Sequence, residues 1–146
     1  LLTLAFGWQL AILSLSIALA ATTVVAGEGW QALGANGAAL VLGGVAASYG
    51  CARASERWLP AHLFVYIFAA GFFGAAVCTA AVSLAAAGFM LVAGVMPAEQ
   101  VLGHYLPIAL LLLFPEAFMT GALTTLAVVY RPQWMVSFKD SRYLKP

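Results

Sequence analysis

The sequence predicts an all-α fold, a polytopic transmembrane helix bundle of about four spans, and three observations predict it. Hydrophobic residues make up 64% of the chain and charged residues only 8%, where a soluble domain is closer to a quarter charged. The mean hydropathy is +1.02. The apolar residues also come in long uncharged runs rather than as one face repeated at helical period, and a run of about 20 residues is enough to cross a hydrocarbon core. At 146 residues the chain is a single transmembrane domain.

The first run, 1–26, contains no charged residue and is long enough to be span one. No basic region followed by a small-residue cleavage site marks it as a signal peptide. Because it begins at Leu1 and not at Met, the chain reads as truncated, processed or incomplete at its front. A turn-like Gly27-Glu28-Gly29-Trp30 leads to span two, 32–52, where Gly34, Gly37, Gly43, Gly44 and Gly50 stand among alanines. Small residues let helix backbones approach closely in a bilayer, so the face carrying Gly37 and Gly44 is expected against protein rather than lipid. Arg53-Ala54-Ser55-Glu56-Arg57-Trp58-Leu59-Pro60 ends that span, and Pro60 is expected to open the next helix, where a missing amide hydrogen costs nothing.

From Ala61 to Met96 the chain is uncharged for 36 residues. One straight helix of that length would run about 54 Å, well beyond a bilayer core. We expect one long tilted span, 61–90, then a short connection through Pro97, Glu99 and Gln100. Ala69, Ala70, Gly71, Gly74, Ala75 and Ala76 give this span its own small-residue face, with Gly71 as a candidate packing position. Span four covers about 105–130, and a surface tail of 131–146 follows.

Charge placement supports this order. Arg53 and Arg57 follow span two, and Arg131, Lys139, Arg142 and Lys145 follow span four, whereas the connections holding Glu28 and Glu99 contain no basic residue. Flanking Lys and Arg prefer the cytoplasmic side, so both ends of this segment are expected to be cytoplasmic, in a bacterial inner membrane. Trp8, Trp30, Trp58 and Trp134 fall near predicted span ends, as interfacial aromatics do. The few charges form no patch able to grip nucleic acid, so no nucleic-acid partner is expected.

Glu116 is the sharpest candidate for function. It sits mid-span beside Pro115, where a carboxylate is costly and marks either an ion or proton pathway or a buried structural partner. Pro115 cannot donate to the carbonyl of Leu111, which leaves an acceptor free close to the acid. Both readings of Glu116, ion site or protonated structural lock, stand open. Asn36 near the start of span two can cap free backbone groups or touch a ligand, and capping is favoured. His62 and His104 fall at opposite faces and cannot share one metal site; each reads as interfacial. Cys51 and Cys78 match neither a disulfide framework nor a paired zinc spacing and read as small packing residues. No paired acids, nucleophile with its base, or phosphate-cradling glycine loop is visible, so neither an enzyme nor a cofactor is expected and no metal ligand is assigned.

The stretch Phe6 to Gly44, with its Gly-Trp start, Gly27-Glu28-Gly29 and Ala32-Leu33-Gly34-Ala35-Asn36, resembles the CbiM-type membrane subunits of energy-coupling-factor cobalt and nickel transporters. Leu63-Phe64-Val65-Tyr66-Ile67-Phe68 with Gly71-Phe72-Phe73, then Phe114-Pro115-Glu116-Ala117-Phe118 and the ending Arg142-Tyr143-Leu144, resemble a proteobacterial permease branch of that family. The resemblance implies a substrate-capturing permease subunit that takes a divalent metal from outside and works with other membrane subunits, among them a coupling subunit, and with cytoplasmic ATPases. Glu116 matches the acidic position of the family's last helix, and Asn36 its Gly-Ala-Asn turn. The family's metal is held by an amino-terminal Met-His start and a further early His, which nothing here matches, so the chain reads as the later part of such a protein. The alternative is a non-transporting accessory or assembly subunit packed against a larger membrane complex.

Overall fold

The structure, a computed structural model, describes residues 1–27, 30–139 and 143, with side chains of 30–32 left aside. The Glu28-Gly29 turn, Trp30 as an interfacial ring, and the basic residues Arg142 and Lys145 lie outside what it describes. Four helices are long and apolar enough to cross a membrane: α1 (Leu2–Ala26), α2 (Leu33–Trp58), α3 (Leu63–Val92) and α4 (Ala98–Tyr130). The protein is a multi-pass transmembrane helix bundle. Large apolar side chains such as Leu13, Ile17, Leu111 and Phe114 are more than half exposed on its outside, a surface suited to lipid and not to water.

α3 packs between α2 and α4, and α1 lies along α2. Small residues set how close these helices come. A side-chain carbon added at Gly44 would touch Val82 at 3.4 Å, and one at Gly74 would touch Cys51 at 3.5 Å, both across the α2–α3 contact. Across α3–α4 the approach is closer still: Gly71 faces Thr124, where an added carbon would stand 3.2 Å from three side-chain atoms, and Gly121 faces Phe72 at 3.3 Å. A carbon added at Gly37 would stand 3.8 Å from Leu19 of α1, ordinary van der Waals distance. Backbones this near replace, by dispersion, the hydrophobic drive that lipid removes.

Three of the helices contain wide π turns, Gly37–Gly43 in α2, Tyr66–Phe73 in α3 and Val101–Tyr105 in α4. Such turns are rare in helices and often stand at functional sites. The glycine after the α3 turn, Gly74, leaves space that a side-chain carbon would take only 3.2 Å from the Ala69 carbonyl five residues back.

The helix ends follow local rules that adjust the expected boundaries. α2 runs on to Trp58 and carries Arg53, Glu56 and Arg57 as its last turns. Pro60 does not open α3. His62, in extended conformation, does so as the cap, its Nδ1 accepting the Phe64 N–H at 3.3 Å. α3 ends on Gly94 at φ 63°, with the Val95 N–H reaching the Met90 carbonyl and the Gly94 N–H that of Leu91, the pairing that left-handed glycines allow after a helix. α4 then starts at Ala98, before the expected Tyr105, with Glu99 in its first turn where the helix dipole favours a negative charge.

One break was not expected. Gly7 (φ 81°, ψ 171°) interrupts α1 after its first turn, so the carbonyls of Leu4 and Ala5 lose their helical donors. The chain beyond α4 supplies replacements: Val136 N–H donates to Ala5 O at 3.0 Å, and Ser137 donates to Leu4 O from its amide at 3.2 Å and its hydroxyl at 2.8 Å. Ser137 Oγ is also 2.6 Å from the Tyr66 hydroxyl. Met135, Phe138 and Tyr143 are buried with Leu4, Ala52, Tyr66 and Val128, and the rings of Tyr66, Phe138 and Tyr143 lie 5.1–5.2 Å apart. The segment after α4, expected as a surface tail, is in this part a plug in the bundle end.

That packing brings the end of α2, the start of α3 and the end of α4 to one end of the bundle. Arg53, Arg57, Arg131 and Lys139 therefore share it, as do Trp8, Trp58 and Trp134, while Glu99 and His104 start α4 at the other end.

Candidate functional site

A cavity of about 520 Å³ lies at mid-depth and all four helices line it. Leu2, Thr3 and Leu15 come from α1, Leu40, Gly44, Val45 and Ser48 from α2, Ala75, Cys78, Thr79 and Val82 from α3, and Glu116 and Thr120 from α4. Glu116 is its acid, and the residues Thr3, Ser48, Thr79 and Thr120 add hydroxyl oxygens. α4 runs through Pro115 and presents Glu116 and Thr120, one helical turn apart, to the same space. The Cys78 thiol donates to the Gly44 carbonyl at 3.1 Å, so this cysteine, read from sequence as packing alone, also stands at the cavity wall.

Glu116 stands exposed at the open side of this space rather than enclosed by it, and among the described residues nothing hydrogen-bonds its carboxyl. Hydroxyl and carboxylate oxygens suit hard divalent ions, and a thiol suits softer ones. Among the described residues no group of three or more His, Cys, Asp or Glu comes together. The cavity thus offers one negative charge and several neutral donors, not a closed ligand set.

Of the positions singled out from sequence, Glu116 and Gly44 meet at this cavity. Gly71 stands below it at the Thr124 contact; Thr124 is wholly buried and its hydroxyl has no partner. Asn36 lies outside the lining, in helical conformation (φ −65°, ψ −38°) just before the α2 π turn, and makes no side-chain cap there. It does not cap because the helix continues through it. His62 and His104 sit at opposite ends of the bundle, neither on the cavity.

Thr3, only 8% exposed, borders a second space as well. This cleft, about 390 Å³, opens at the Gly7 break toward the basic end and is lined by Gln9, Tyr49, Arg53, Glu56, Ser137 and Lys139 among others. Within it the Arg53 Nε donates to the Tyr49 hydroxyl at 3.0 Å. The sequence could not show this cleft, because it exists only where Gly7 bends the chain and residues 136–139 return to it.

The outside of the bundle is apolar, and its four helices together border one largely apolar cavity that carries a single acid, Glu116, with Thr3, Ser48, Thr79 and Thr120 among its lining residues. The chain belongs to the CbiM family, the cobalt uptake substrate-specific transmembrane region, which it matches over residues 1–134. That family is a membrane transport component and not a family of enzymes. No curated protein and no solved structure matches the chain.

Proposed function

We propose that the chain is the substrate-capturing permease component of an energy-coupling-factor transporter for cobalt or nickel, working with a coupling subunit and cytoplasmic ATPases, in a bacterial inner membrane. The observation that carries this reading is the cavity that Glu116 shares with the hydroxyls of Thr3, Ser48, Thr79 and Thr120. A carboxylate within a membrane span is costly and marks an ion pathway or a buried partner, and among the described residues no partner hydrogen-bonds this one. The metal is the substrate, and Glu116 supplies the charge that draws it in while the hydroxyls replace part of its water. Deleting the reading frame is expected to abolish cobalt or nickel accumulation by cells. Unchanged accumulation, with another membrane complex lost instead, would establish the accessory-subunit reading.

The basic end is cytoplasmic in this reading, because positive flanks stay inside. With Cys51 and Cys78 replaced, single cysteines at Ser55 and Gln133 are expected to resist a membrane-impermeant thiol reagent in intact cells, and one at Glu99 to react. Labelling of Ser55 and Gln133 from outside would reverse the orientation.

A further inference from the structure

Glu116, Thr120 and Thr124 follow one another at single-turn spacing along one face of α4. The first two border the cavity, and Thr124 is the next step below it, against α3. A hydroxyl inside a helix ordinarily donates to the carbonyl one turn back, as those of Ser14, Thr23 and Thr125 do here at 2.7, 2.8 and 2.8 Å. Thr124 does not. It is wholly buried and, among the described residues, its Oγ1 has no hydrogen-bond partner, a state that a fold keeps only at a cost. Across the contact stands Gly71, inside the π turn Tyr66–Phe73 of α3. At the end of that turn the Gly74 N–H donates to the carbonyls of Ala69 and Gly71 and passes over that of Ala70, its partner in a regular α-helix. A donor with nothing to donate to and a wide turn that has displaced a regular acceptor thus stand on the two sides of one buried contact.

The turn also divides α3. Below it Tyr66, 2% exposed, is fixed by its hydroxyl, 2.6 Å from Ser137 Oγ. Above it Ala75, Cys78, Thr79 and Val82 form the α3 wall of the cavity. Because π and α turns hold different numbers of residues, passing the wide turn along the helix, or returning it to α pitch, rotates the upper half against the lower. We propose that α3 has a second conformation in which the wide turn shifts, a carbonyl of α3 accepts from the Thr124 hydroxyl, and Cys78 and Thr79 turn relative to Glu116. The device lies wholly within α3 and α4. Its two conformations present different linings beside Glu116, which gives the carrier proposed above two states between which a solute passes; this use of the device rests on the transport reading.

The test pairs a substitution with a distance. Thr124→Val keeps the volume and removes the hydroxyl, so it relieves the conformation described and takes the hydrogen bond from the second. The purified protein is expected to melt no lower than the wild type, while cells accumulate cobalt about tenfold more slowly, the effect of losing one hydrogen bond made only in the second conformation. Thr124→Ser keeps the hydroxyl and should restore uptake. A residue that only packs would give the reverse order, with valine nearest the wild type. Distances need no transport. In the full-length protein with Cys51 and Cys78 replaced, spin labels on cysteines at Leu84 and Leu110, both exposed and above the turn, are expected to show two separations. Labels at Phe64 and Val129, exposed and below it, should show one. Thr124→Val should leave a single separation at the upper pair. If deleting the reading frame leaves cobalt accumulation unchanged, the transport reading fails and the distances alone decide this proposal. Valine cells that accumulate cobalt at the wild-type rate, serine as slow as valine, or one and the same upper separation in wild type and valine would each overturn it.

Discussion

Cells carrying Glu116→Gln are expected to make the protein at normal yield and to lose metal accumulation down to background. Glutamine keeps the shape and most of the hydrogen-bonding capacity of glutamate but carries no charge. The neutral hydroxyls around it in the cavity then remain without a counter-charge for a divalent ion. Glu116→Leu goes further and takes away the polar group altogether. Because the carboxyl is accessible and no described residue hydrogen-bonds it, leucine should also fold, and a loss of uptake in both variants would be a loss of function rather than of structure. Were the side chain a structural lock instead, leucine alone would destabilise, by about 1–3 kcal/mol from partners left unpaired. Uptake measured beside assembly yield separates the two, and a glutamine variant that accumulates metal like the wild type takes the transport role away from this residue.

The second large effect is expected at Gly71. A carbon added there meets the Cβ, Cγ2 and Oγ1 of Thr124 at 3.2 Å, and Thr124 is wholly buried, so neither helix can yield without moving. Gly71→Leu should therefore cost more than the 1–3 kcal/mol typical of an overpacked core and remove most folded protein from detergent extracts. Gly71→Ala should be milder, and Thr124→Ala should restore part of what it loses, because it clears two of the three opposing atoms. Thr124→Val keeps the volume and removes a buried hydroxyl that has no partner, so it should be neutral or stabilising. Gly44→Leu meets Val82 at 3.4 Å, an ordinary contact with a movable methyl, and should hurt less than Gly71→Leu. A Gly71→Leu protein with wild-type yield and melting temperature would show that α3 and α4 do not meet as described.

How much of this could be read beforehand depends on the length scale of each signal. Membrane helices announce themselves through twenty or more consecutive apolar residues, and Glu116 stands out because a charge in such a run is rare. The shared end of Arg53, Arg57 and Arg131 was visible because each lies at a run boundary. The features that carry no local signal depend on contacts between residues far apart. Gly7 sits between Phe6 and Trp8 like any packing glycine, and nothing near it in sequence says that its φ is positive. Met135, Phe138 and Tyr143 are scattered among polar residues, so they resemble surface aromatics until the bundle end is assembled. The π turns have no composition of their own: Tyr66–Phe73 reads as ordinary apolar helix. Cys78 reads as packing in sequence because its place on the cavity wall needs Gly44 and Glu116 from two other helices. The start of α4 came early because Pro97 and Glu99 are polar enough to suggest a loop yet well suited to a first helical turn.

The pairing of Leu4 and Ala5 with residues 136 and 137 also has a meaning in time. Ser137 reaches Leu4 across 133 residues, so a ribosome adding about 5–20 residues per second makes the partner on the order of ten seconds after the carbonyls it serves. During that interval the opening turn of α1 has unpaired acceptors that hydrocarbon will not tolerate. Nascent α1 must wait with that turn in the wet interface or in the insertion machinery, and it can sink to its final depth only when residues 136 and 137 arrive. The packing of α1 is thus completed only by residues made after α4, and a nascent chain stalled short of Val136 should remain sensitive to protease around the Gly7 break.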